Sequence, residues 1–153
     1  VRHRWAAAAT QPTTPAVDDQ PQVISDRHEM VRSMDPQVVP GIFVFATVPQ
    51  IESVPDDVDV YSTVREAEGL SVVIAYDDAH RFGLTEPVKL GWITLTVNSS
   101  LEGVGLTAAV SGVLAEHGIA CNVIAGHHHD HLLVPVDEVN AAIQLLKTLA
   151  DQR

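Results

Sequence analysis

The chain has 153 residues, 46% of them hydrophobic, which suits one compact domain or two very small ones. Nine basic residues against twenty acidic ones give a formal net charge of −11. Such a surface repels phosphate backbones and anionic lipid, and so argues against nucleic acid or membrane as partner. The single cysteine, Cys121, has no internal disulfide partner and fits a reducing compartment.

Residues 1–24 are rich in Ala, Thr, Pro and Gln and lack periodic apolar positions. They read as a flexible tail that cannot bury enough surface to offset ordering entropy. Basic residues followed by alanines there do not make the apolar core of a signal peptide, which needs about 7–15 residues. No apolar run approaches the roughly 20 residues of a membrane span. A cytoplasmic location is therefore expected.

Helical spacing of Ile24, Met30, Val31 and Met34 predicts a first helix, stopped by Pro36. Gly41–Val48, "GIFVFATV", reads as a buried strand. "QIESVPDD" is a loop by its polarity and Pro55. "VYSTVREAEG" reads as a short helix closed by Gly69, with Arg65, Glu66 and Glu68 on a solvated face at its end. "LSVVIAY" is a second strand. "DDAHRFGL" reads as one or two helical turns between an N-cap at Asp77 and a stop at Gly83. The acidic loop Asp56, Asp57 and Asp59 lacks the twelve-residue pattern of a calcium-binding hand.

The second half has clearer periods. In "WITLTV", Ile93, Leu95 and Val97 alternate with Trp92, Thr94 and Thr96, a strand period of two. "SSLEGVGLTAAVSGVLAEHG" carries Leu106, Val110, Val113 and Leu114 at helical spacing. Ser99 and Glu102 form a capping-box pattern at its start, and Gly118 supplies its stop. "IACNVIAG" and "HLLVPV" are two strands joined by "GHHHDH". The last helix, "DEVNAAIQLLKTLA", has Asp137 as N-cap and Val139, Ala142, Ile143, Leu146 and Leu149 on one face. The order strand, helix, strand, strand, helix is a ferredoxin-like βαββαβ unit without its last strand. A first-half strand, Gly41–Val48, is expected to fill that place, so that two halves interleave into one α+β fold with antiparallel sheets.

Three long runs, "SSLEGVGLTAA", "GIACNVIAG" and "HDHLLVPV", with "VPGIFVFATV" and "REAEGLSVVI" from the first half, resemble small bacterial proteins built of two tandem ACT-like halves. They are similar, too, to the ACT modules of the animal cytosolic arginine sensors. The resemblance implies an N-terminal ACT-like half over 25–87 and a C-terminal ACT domain over 88–153. It implies a non-catalytic regulatory protein that pairs into a homodimer and holds a small molecule, an amino acid, at its strand-to-helix loop. Here that loop is Asn98, Ser99, Ser100, Gly103, Val104 and Gly105.

The loop can also be read physically. A helix N-terminus offers unpaired N–H groups and a positive dipole end, which suit a carboxylate. Gly103 and Gly105 would let a ligand approach, at a cost of about 1 kcal/mol each relative to Ala in a helical turn. The same glycines equally admit a packed neighbour beside an ordinary capped helix.

The second candidate is His127, His128, His129, Asp130 and His131. These imidazoles and the carboxylate could hold a divalent transition metal, Zn²⁺, Ni²⁺ or Cu²⁺. On an extended strand His127 and His129 share a face. A turn at His129–Asp130 would bring His128 opposite His131. A polar hairpin, with Asp130 serving the turn, explains the run as well. Cys121 lies in an apolar run with no local base, so it reads as an inert thiol. Neither a Ser-His-Asp set nor a phosphate-binding glycine loop occurs, and no enzyme activity is expected. A ligand-free dimerisation module is the remaining alternative.

Overall fold

Asp26 starts the first helix. Its carboxylate accepts from the Glu29 N–H at 2.9 Å and satisfies one of the donors that a helix start leaves open. The structure, a computed structural model, describes residues 23–97 and 102–151. The tail expected over 1–24 therefore lies almost wholly outside the described residues, as do Asn98, Ser99 and Ser100. Among the described residues three α-helices, α1 (Arg27–Ser33), α2 (Leu106–Glu116) and α3 (Val139–Asp151), accompany six strands. The strands are β1 (Pro36–Val48), β2 (Val60–Glu66), β3 (Gly69–Ala75), β4 (Leu90–Leu95), β5 (Asn122–Ala125) and β6 (Asp130–Pro135). The chain divides into two compact units: residues 41–89, and residues 23–40 with 90–151.

In the first unit the strand order is β2-β3-β1. Val44, Ala46 and Val48 stand opposite Ile74, Val72 and Leu70 in antiparallel register. All six are buried in one cluster with Val54, Val58, Val60 and Ala79. Ile51–Ser53 and Tyr76–Phe82 are 3₁₀ turns. The expected helix over residues 60–69 is instead β2 and the turn into β3. Glu66 pairs with Gly69, so Ala67 and Glu68 make a two-residue hairpin loop. The β-branched Val60, Thr63 and Val64 suit a pleated strand better than a helix, where their χ1 freedom is lost. Asp77 does not cap the turn after β3: the cap position is Ala75, without a side-chain bond, and Asp77 lies inside the turn. Gly83 does end it, at φ +72°.

In the second unit the order is β1-β4-β6-β5. The Thr96 N–H donates to the Asp35 carbonyl, so the start of β1 lies at the end of β4. This is the ferredoxin-like order 4-1-3-2 with the start of β1 in the fourth place. A first-half strand thus fills the gap, as expected, but with residues 36–40 and not with Gly41–Val48, whose later residues pair with β3. β1 is five residues longer than its apolar run, because Pro36 occupies a first-strand position that tolerates a missing donor.

Helices α1, α2 and α3 pack on one another in this unit. Met30, Val110, Leu114, Ala142 and Leu146 are fully buried among Ile93, Leu95, Leu132 and Val134. Gly118, at φ +73°, ends α2. The Ile119 N–H reaches the Leu114 carbonyl and the Gly118 N–H reaches that of Ala115, which closes the helix, and Leu114 and Ile119 belong to the same buried cluster. Asp137 is not the N-cap of α3 but lies in a 3₁₀ turn, Val136–Glu138, that leads into it. Among the described residues no helix is long and apolar enough to cross a membrane.

Candidate functional site

The site forms at one end of the second unit, around the start of α2. That helix begins at Leu106, later than the capping-box pattern implied. Gly105 is its N-cap, at φ +106°, and makes no side-chain cap bond. Glu102 sits in a turn before it, so the Ser99–Glu102 pair cannot cap α2. The first intrahelical bond runs from Ala109 N–H to the Gly105 carbonyl at 3.0 Å. The N–H groups of Leu106, Thr107 and Ala108 precede it and have no partner within the helix.

Arg27 of α1 lies across this start. A Cβ placed on Gly105 would meet Arg27 Cδ at 2.8 Å and Nε at 3.2 Å. Arg27 is exposed. A guanidinium only donates hydrogen bonds, so it cannot accept from the N–H groups of the helix start. Both add positive potential at one place. Sequence reasoning missed Arg27. The available signal was its position: a cation in the first turn of α1 opposes that helix's own dipole, where an acid would be favoured. Val104, next in the loop, is 80% exposed, and Gly103 is partly buried.

The histidine hairpin approaches the same end. Ala125 pairs with Asp130 and the Gly126 N–H donates to the His129 carbonyl at 3.0 Å. The two turn residues are therefore His127 and His128, not His129 and Asp130. His128 consequently does not oppose His131, which stands across from Ile124 on β5 and Thr94 on β4. The five candidate ligands do not converge: among the described residues no three His, Cys, Asp or Glu side chains are grouped to hold a metal.

His131 is committed elsewhere. Its Nδ1 accepts from Trp92 Nε1 at 3.2 Å and lies 3.0 Å from Thr94 Oγ1. Burial, and then the charge of His129, hold it below its ordinary pKa. Burial raises the Asp130 carboxyl, with His129 opposing. His129 Nδ1 lies 3.3 Å from the Val97 carbonyl, at the edge of the candidate loop. Burial also pushes the Cys121 thiol up, which keeps it protonated and unreactive.

Two ACT-domain family models match, one over residues 24–89 and one over 88–148. The chain belongs to the ACT-domain family. No curated protein matches this tandem ACT protein in sequence. A Vibrio cholerae protein of unknown function, described as a possible transport protein, is 40% identical to it, over 81% of this chain and 95% of its own, with a TM-score of 0.72. An Agrobacterium tumefaciens protein is 21% identical, over 76% and 89%, with a TM-score of 0.60. The ligand-free regulatory subunit of aspartate kinase from Thermus thermophilus is 9% identical, over 78% and 99%, with a TM-score of 0.57. The last two likenesses are of fold alone.

Proposed function

We propose that this tandem ACT protein is a non-catalytic regulatory protein that binds a small carboxylate, an amino acid, at the start of α2. The observation that carries the reading is the glycine at the start of α2, which makes no side-chain cap bond, with the Arg27 side chain across it. Helix-start amide donors and a guanidinium share one requirement, an acceptor bearing negative charge. A free amino acid offers a carboxylate for these donors and a side chain for the exposed Val104. Asn98, Ser99 and Ser100, in the segment leading into the site, would add side-chain hydrogen bonds. The family supports a regulatory role, and so does the resemblance in fold to a regulatory subunit of aspartate kinase. Binding would act by stabilising a homodimer.

A thermal-shift screen of the full chain with each of the twenty amino acids tests this. The expected result is a rise in melting temperature with one amino acid or a related group, and no rise with the corresponding amines that lack the carboxylate. Twenty flat responses would leave a dimerisation module without ligand as the better account.

A further inference from the structure

Trp92 and His131 stand side by side on the neighbouring strands β4 and β6, with ring centroids 5.2 Å apart. Trp92 Nε1 lies 3.2 Å from His131 Nδ1, and Thr94 Oγ1 lies 3.0 Å from the same nitrogen. An indole N–H only donates, so His131 Nδ1 carries a lone pair and the ring proton sits on Nε2. A hydroxyl, unlike an indole, also accepts. We infer that His131 is a two-position proton switch: neutral, it takes the Trp92 N–H; protonated, it releases Trp92 and donates its Nδ1–H to Thr94 Oγ1. Both positions use groups already within hydrogen-bond reach of one nitrogen, so the exchange needs only a small tilt of the ring.

The ring is placed to pass that change on. Trp92 is only 6% exposed, so water screens the exchange little. The hairpin turns over the other nitrogen: a Cβ on Gly126 would stand 3.3 Å from His131 Nε2. A tilt toward Thr94 therefore shifts the seat of Gly126, and with it the turn that ends on His129. Facing His131 are Trp92 and Thr94 from β4, Ile124 from β5 and Gly126 from the hairpin, all uncharged. The charge that reaches it is that of His129, while its neighbour Asp130 lies on the alternate face of β6. Burial, and then the His129 charge, favour the neutral ring. The unfolded chain therefore takes up this proton first as pH falls. The stability that the neutral ring contributes is present above the ordinary imidazole value and is lost as pH falls through the lowered one.

An NMR titration of the full chain across the imidazole range, from roughly pH 8 to pH 4.5, is the test. It follows the Trp92 indole N–H and the His131 ring protons, with Trp5→Phe removing the second indole signal. The expected result is one step shared by both signals, with a midpoint below the ordinary imidazole value, and a Gly126 amide that moves with them. Thr94→Val removes the acceptor of the protonated ring and lowers the midpoint by about 0.5–1 on the pH scale. His129→Gln raises it, and His131→Gln abolishes the step at the Trp92 indole. Circular dichroism checks the fold of each variant, and Thr94→Val, which keeps the side chain's shape, decides should His131→Gln misfold. A Trp92 indole signal that stays in place while His131 titrates, or a midpoint that Thr94→Val leaves unchanged or raises, would overturn the inference.

Discussion

Arg27, on the first turn of α1, occupies the space that a side chain on Gly105 would need at the cap of α2. The contact joins two helices far apart in sequence, and Gly105 adopts φ +106°, which side-chain-bearing residues rarely do. Gly105→Ala should therefore cost about 1–3 kcal/mol in backbone strain, besides displacing Arg27. Gly112, inside the same helix, has open space where a Cβ would stand, with no neighbouring atom within 4 Å. Gly112→Ala should stabilise by roughly 0.5–1 kcal/mol. Urea denaturation of both variants checks the pair of opposite signs.

Gly91 is a second test of close packing. A Cβ there would overlap Val139 Cγ2, at the first residue of α3. Gly91→Ala should destabilise by about 1–3 kcal/mol through overpacking. Adding Val139→Ala should recover part of the loss. A double-mutant cycle measured by denaturation gives the coupling; simple additivity would show that the two positions do not meet.

Met30 is fully buried with residues of α2, α3 and β4. Truncation to alanine should cost about 2–5 kcal/mol. Hydrogen exchange would show faster exchange in α3 and β4. Unchanged exchange there would contradict α1 as part of the second unit's core.

Arg81 donates to both carboxylate oxygens of Asp57, at 2.7 and 2.9 Å, and holds that carboxyl below its ordinary range. A depressed carboxylate pKa contributes stability above the ordinary Asp value, and the contribution is lost as pH falls through the lowered one. Solvent exposure keeps the effect small. An NMR titration should place the Asp57 midpoint below the ordinary value and return it upward in Arg81→Gln.

Much of the second unit was legible in sequence because its periods are unmixed. Ile93, Leu95 and Val97 alternate, and Leu106, Val110 and Leu114 recur at helical spacing. In β2, by contrast, a short stretch with charged residues at its end imitates a helix until β3 is placed beside it. The start of α2 was misjudged because Ser99 and Glu102 match a capping box locally, while Gly105 sets the boundary through its backbone. Arg27 could not be seen at all from the loop's own residues. Its relation to Gly105 exists only after α1 packs against α2, a tertiary contact that no local pattern encodes. The histidine turn was misplaced by two residues because four histidines carry no register signal. The pairing of Ala125 with Asp130 supplies it.

An amide-resolved NMR titration with pools of the twenty amino acids tests the central claim most directly, with Arg27→Ala as comparison. The account predicts that one pool shifts the amides of Leu106, Thr107 and Ala108 together with the Arg27 side chain, and that Arg27→Ala weakens the response. Shifts confined to the cleft of about 290 Å³ beside Tyr76, His80 and Thr85, or no shifts with any pool, would contradict it.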